Sequence, residues 1–385
     1  MQNIADKLLT TGLWAAYDHI EGLNGKTPLI RYGVIHQDGY NVEIYVKMDT
    51  LNPGGSFKDR GSEFNVDEAV HDGILKTGDN IVTASAGNHA KGVAKAAHEH
   101  GLRAIIYMSV DAPKSKIVGT ERLGGIVRLV NGNYHQADEE AREEAERTGT
   151  YYVPAYKDAN VILGQSTIAT EVMMQLSPFR IRPDFFVSPY GGGGLANGIG
   201  YALRYFDETG MFRYTGFGSQ ISNFAVQAET FGTMARSFQQ GRIVDYINQG
   251  ETIADGIRVP HASEEMLRLS KQYIDGMFTA SEAEIRQAIR KVYHSELIRA
   301  LQQMPSEQLQ QEHGFAFSHI SRVPNMNVLE GAAATAFACA FADNRLPYDV
   351  IASKIHPRKS IIGVIIASGN NIDPAKLEEI LSEKG

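Results

Sequence analysis

The 385 residues are 43% hydrophobic and 21% charged, with a formal charge of −8 and a pI near 5.9, an ordinary balance for a globular chain large enough for two domains or one large α/β unit. With no block of consecutive Lys or Arg, the chain lacks the footprint of a nucleic-acid or anionic-membrane partner, and no apolar run nears the ~20 residues of a membrane span. The only cysteine, Cys339, excludes an intrachain disulfide and a cysteine-based zinc cluster.

The opening "MQNIADKLLTTGLWAAYDHIEG" lacks a basic segment followed by a long apolar one, so it does not read as a signal peptide, and a cytoplasmic location is expected. Next, "LNPGGSFKDRGSE" (51–63) sets one amine, Lys58, on a tight polar glycine turn, where it is either a solvated charge or a nucleophile. From there short apolar runs predict strands at 80–85, 103–109, 125–130, 151–155, 184–189, 213–219 and 360–369. Helical spacing predicts helices in "AGNHAKGVAKAAHEHG", "YHQADEEAREEAERTG", "STIATEVMMQL" and "ANGIGYALRYFDETG", three of them closed by glycine. Strand alternating with helix implies a mostly parallel sheet flanked by helices on both faces. The segment 294–327, rich in Gln and holding three histidines in no zinc pattern, reads as a helical insertion, and Cys339 in "GAAATAFACAFA" as a packed core residue of a helix.

Glycine runs at strand ends are where α/β sheets bind ligands. In "SPYGGGGLANGIG" (188–200) a strand runs into four glycines and a helix, so backbone N–H groups converge at a helix N-terminus as a phosphate cradle. The spacing is neither GxxxxGK[ST] nor GxGxxG with a following acid, which argues against ATP and NAD. "TASAGNHAKG" (83–92) repeats the geometry, with Ser85, Asn88 and His89 offering hydroxyl, amide and imidazole to a carboxylate, although Ser85 and Asn88 also fit plain helix caps. "IIASGNN" ends the last strand on Ser368, a neutral partner for a ring nitrogen. A phosphate cradle, an anion cradle, a lysine on a glycine turn and a neutral hydroxyl together fit pyridoxal 5′-phosphate, whose aldehyde condenses with an amine.

The ordered set "SFKDRG", "SAGNHAKG", "GGGGLANGI", "ILGQSTIATE", "TIADGIRV", "LEGAAATA" and "IASGNN" resembles the fold type II pyridoxal-phosphate enzymes, most of all their serine/threonine dehydratase branch, from about Thr27 to Asn371. The resemblance implies a two-domain α/β fold of the tryptophan synthase β type. A large cofactor domain would comprise 1–79 and 158–385, and a small mobile domain, 80–157, would close a cofactor cleft. It implies that Lys58 is the Schiff-base lysine, Phe57 its neighbour at the ring, Asn88 the partner of the 3′ oxygen, Gly191, Gly192, Gly193, Gly194 and Leu195 the phosphate loop, and Ser368 the partner of the pyridine nitrogen. Ser85, Ala86, Gly87, Asn88 and His89 would hold the substrate carboxylate. Glu330 would stand at the edge of the site, its plainer reading being a helix cap, and Lys58, Ser85 and Glu330 form the expected catalytic set.

With Ser368 rather than a carboxylate at the ring nitrogen, β-elimination is favoured over a long-lived carbanion, and the expected reaction converts a β-hydroxy amino acid such as threonine or serine into a 2-oxo acid and ammonia. Ala86 stands where racemases of the family have serine, which argues against racemisation. Threonine synthases share "SFKDRG", β-replacement of the cysteine synthase kind uses the same early chemistry, and a non-catalytic cofactor-binding protein is the reading from a different class. Ser219 and Gln220 replace an acidic residue that contributes to a cation site in many relatives, so no metal is carried over. The insertion leaves bulkier or acidic β-hydroxy amino acids open as substrates, and the resemblance further implies a homodimer or homotetramer.

Overall fold

The computed structural model describes residues 4, 8, 12–14, 16–18, 27–212, 220–244, 250–295, 329–343, 345–354, 360–369 and 372–383. Among these are ten strands: β1 (Leu29–Gln37), β2 (Tyr40–Met48), β3 (Asn80–Ala84), β4 (Arg103–Ser109), β5 (Ile126–Val130), β6 (Tyr151–Tyr152), β7 (Phe185–Pro189), β8 (Ser222–Ala228), β9 (Gly276–Ala280) and β10 (Ser360–Ala367). The expected strand at 213–219 and nearly all of the 294–327 segment lie outside the described residues. Contacts group the chain into one compact unit of Met1–Asn24 with Asn52–Thr167, and a second of Gly25–Leu51 with Ile168–Gly385. The first unit is wider than the expected 80–157 segment, because it also takes in the Lys58 turn and the helix after it.

In the first unit a four-stranded parallel sheet has the order β5-β4-β3-β6. The helix Asn88–Glu99 buries an alanine and valine face against it, whereas Tyr134–Thr148 buries only Ala137 and Ala141, with Asp138 and Glu144 half-buried where they accept from the Tyr152 and Tyr107 hydroxyls. That helix opens with a capping box between Asn133 and Gln136, which satisfies backbone groups at its start, and ends at Gly149 in the left-handed conformation. The predicted strand at 151–155 stops after Tyr152: Pro154 has no N–H to donate, and the Val153 carbonyl turns to accept from the Thr83 hydroxyl at 2.8 Å.

In the second unit the six-stranded sheet runs β1-β2-β10-β7-β8-β9, parallel throughout except for the β1–β2 hairpin. Asp38 and Gly39, both with positive φ, form the two-residue turn of that hairpin. β7, β8 and nearly all of β10 are buried along their length, as befits parallel strands covered on both faces. The helix Gly331–Phe341 packs its alanines and the buried Cys339 into the same core. Within this core Lys47 is fully buried and paired with Glu171 at 2.5 Å, while the Thr27 N–H donates to the same carboxylate oxygen at 2.7 Å. No described helix is long and apolar enough to cross a membrane.

Candidate active site

Lys58 is the first residue of the helix Lys58–His71, and the turn before it is tied down side chain by side chain. The Asn52 amide donates to the Ser56 carbonyl at 3.1 Å, the Gly54 N–H donates to Asp59 Oδ2 at 2.6 Å, and the Lys58 N–H donates to Ser56 Oγ at 3.2 Å. The half-buried Lys58 amine donates to the Ala155 carbonyl at 2.6 Å and lies 5.2 Å from the centre of the Phe57 ring. The helix Asn88–Glu99 presses against this first turn: a Cβ on Gly92 would stand 3.0 Å from the Lys58 carbonyl.

The Ser85–His89 loop belongs to the same unit and follows β3. Ser85 Oγ accepts from the Gly87 N–H at 3.1 Å, Gly87 is the cap residue, and Asn88 opens the helix. Ala86 is half-buried between them. His89 departs from the expectation that its imidazole faces an anion. Its ring is buried, with Nε2 3.0 Å from Thr83 Oγ1 and 3.2 Å from the Val153 carbonyl, and Nδ1 3.4 Å from Ser62 Oγ. A carbonyl only accepts, so Nε2 carries the hydrogen and Nδ1 is left to accept from Ser62. Burial, aided by the charge on Lys58, pulls this imidazole down to about 3, so it is neutral and engaged within the fold.

On the second unit β7 runs into Gly191–Gly193 and the helix Gly194–Thr209. Among the described residues no protein acceptor meets the backbone N–H of Gly191, Gly192, Gly193, Gly194 or Leu195, and the first turn of the helix adds its positive end. Gly193 has φ +93, and a Cβ there would lie 2.3 Å from the Tyr190 hydroxyl, so only glycine shapes this loop. Its carbonyl is held by Asn197 Nδ2 at 2.9 Å, and Tyr190 and Asn197 both reach Ser270, at 2.9 and 3.2 Å.

Three distant motifs of the second unit close on one another beside this loop. A Cβ on Gly191 would lie 3.2 Å from Ile257 Cα, one on Gly331 would lie 2.3 Å from the Ile253 carbonyl, and one on Gly256 would lie 2.9 Å from Glu330 Oε1. Glu330 is buried and its N–H donates to the Gly369 carbonyl at 3.3 Å. It occupies the cap position of the helix Gly331–Phe341 but makes no side-chain cap bond; its carboxylate lies against the backbone of Gly369, next to the buried Ser368. The Ile253–Ile257 wall, which backs both the glycine loop and Glu330, received no role from the sequence, though the "ADG" of "TIADGIRV" was its visible signal. Asn370 and Asn371 lie outside the described residues.

A row of N–H donors at the end of a parallel strand suits a phosphate, and an amine half-buried beside an aromatic ring suits an aldehyde, so each feature by itself fits one part of pyridoxal phosphate. A sequence profile described as pyridoxal-phosphate dependent enzyme matches residues 20–301, so the chain belongs to that family. It is 37% identical to an L-threonine ammonia-lyase of Thermotoga maritima over 247 residues, 64% of this chain and 57% of that protein. It is 30% identical to the catabolic L-threonine dehydratase of Escherichia coli K12 over 338 residues, 88% of this chain and 85% of that one. The processed form of threonine deaminase isoform 2 from Solanum lycopersicum superimposes with a TM-score of 0.69 at 27% identity, covering 97% of this chain and 94% of that structure. The fold is that of the fold type II enzymes, and the chain falls within their threonine dehydratase branch.

Proposed function

We propose that the protein catalyses the dehydration and deamination of a β-hydroxy amino acid such as threonine or serine to a 2-oxo acid and ammonia. The overall balance is simple: the hydroxyl and α-hydrogen leave as water, a water is taken up again on hydrolysis, and ammonia departs. When bound, pyridoxal phosphate supplies an electron sink conjugated to the substrate Cα. Gly191–Leu195 would hold its phosphate through their N–H groups, Asn88 its 3′ oxygen, Ser368 its pyridine nitrogen, and Phe57 its face. The Ser85–His89 backbone and the Ser85 hydroxyl would orient the substrate carboxylate, Lys58 would move the Cα proton, and Glu330 would bound the site beside Ser368.

The observation that carries this reading is the commitment of His89. On the unit that bears Lys58, the imidazole next to the carboxylate loop is buried and bonded to Val153, Thr83 and Ser62, and Ala86 has no proton to exchange. With Lys58 as the base, neither the neutral His89 nor Ala86 offers a second proton carrier from this loop, which favours elimination over racemisation. The reading extends, on the family resemblance, to a homodimer or homotetramer in the cytoplasm. Incubating the loaded protein with L-threonine, L-serine and L-threo-3-hydroxyaspartate while measuring 2-oxo acid and the D-enantiomer tests it. Oxo acid from at least one substrate is expected, and faster accumulation of a D-amino acid would refute it.

A further inference from the structure

Beneath Lys58, the first unit buries an ionic cluster that the reaction itself does not use. Asp59 is fully buried, and its side chain turns back to the turn that precedes it. Oδ2 accepts from the Gly54 N–H at 2.6 Å, and Oδ1 has no hydrogen-bond partner among the described residues. A Cβ on Gly54 would stand only 2.2 Å from Oδ1, so the carboxylate lies flat against the Gly54 backbone. Lys91 and Lys95 of the helix Asn88–Glu99 face it, and Glu63 faces it from its own helix. Lys95 in turn binds Glu63 at 3.3 Å and Glu99 at 2.5 Å, while His100 donates to Glu63 at 2.9 Å.

We infer that Asp59 is the positioning residue for Lys58: its carboxylate latches the Asn52–Phe57 turn through Gly54 and sets that turn against the helix that begins at Asn88. The inference rests on the proposed role of Lys58. The turn is otherwise held by the neutral groups of Asn52 and Ser56, so Asp59 is the ionisable member of the latch and the one that responds to the lysines behind it. A buried carboxylate with an unpaired oxygen lowers stability, and a residue of that kind beside a reactive group is characteristic of function rather than of packing. Burial pushes this carboxyl up to about 6, against the pull of Lys95 and the Gly54 N–H. The folded state therefore retains a proton between pH 3.8 and about 6 that the unfolded chain releases, and the ionised latch works at neutral pH at the expense of stability.

The test is Asp59→Asn in the cofactor-loaded protein. A misplaced amine costs about 10–100-fold in rate, so kcat at pH 7.5 is expected to fall by about that factor, with KM within threefold, full cofactor stoichiometry and a melting temperature equal to or above that of the wild type. The wild-type kcat should decline as pH falls through about 6. Asp59→Asn should remove that inflection, whereas Glu99→Gln, which alters the other raised carboxyl of the cluster, should leave it in place. Without any substrate, pyridoxal phosphate added to cofactor-free Asp59→Asn should develop its visible band about tenfold more slowly than in the wild type and to the same final height. That readout separates the latch from the elimination reading, whose own failure appears as absence of oxo acid from the wild type. A kcat within twofold with the inflection retained, or a lowered melting temperature with lost cofactor, would overturn the assignment.

Discussion

Gly193→Ala probes the phosphate cradle through backbone shape alone. At φ +93 an alanine incurs about 1–2 kcal/mol of left-handed strain. Its methyl would stand 2.3 Å from the Tyr190 hydroxyl and 2.6 Å from Cζ of that ring, and Tyr190 is fully buried, so the ring must shift. Overpacking of this kind costs about 1–3 kcal/mol, and losing the 2.9 Å bond between Tyr190 and Ser270 about 1 more. The loop can relieve this by moving away from the geometry that converges its N–H groups, but binding a phosphate restores that geometry. If about 3 kcal/mol must be restored, affinity for pyridoxal phosphate falls by roughly 10²-fold. Titrating cofactor-free wild type and variant by visible absorbance, with circular dichroism to confirm the fold, measures it. Affinity within threefold of wild type, at unchanged melting temperature, would refute the role given to this loop.

Glu171→Gln strands the buried Lys47 amine beside a neutral amide and should destabilise the protein by about 3–5 kcal/mol in denaturant titration, where a loss below 1 kcal/mol would show that the pair contributes little. His89 gives a pH signature: its imidazole stays neutral in the fold to about 3, so the unfolded chain binds the extra proton between there and 6.5, and stability should fall on acidification through that window. His89→Gln should flatten that slope, leaving the opposing contribution of Asp59 between pH 3.8 and about 6; an unchanged slope would contradict the buried neutral ring.

The alternation of strand and helix was legible because parallel strands are uninterrupted apolar runs: β4 spans the residues expected of it, and β3, β5, β7 and β10 differ from theirs by one or two residues. The β1–β2 hairpin escaped notice although Asp38–Gly39 between two alternating segments is a strong turn signal. β8 and β9 are absent from the expected strands, although Asp275–Gly276 and Ser281 bracket β9 with turn residues. The helix begins at Ala159, seven residues before the expected start at Ser166; Gly164, which interrupts the helical pattern, is there for close approach, since a Cβ on it would lie 2.3 Å from the Arg60 carbonyl. For the site, glycine runs and an isolated lysine are one-dimensional signals. The inward turn of His89, the uncapped carboxylate of Glu330 and the latch at Asp59 depend on which neighbours folding supplies, and no spacing encodes those.

The most direct test of the account is the visible spectrum of pyridoxal-phosphate-treated wild type and Lys58→Ala, followed by borohydride reduction and peptide mass mapping. A visible band in the wild type and a reduced cofactor mass on the peptide containing Lys58 are expected, and neither in the variant. A band that survives in Lys58→Ala, or a mass adduct mapping to another lysine, would contradict it.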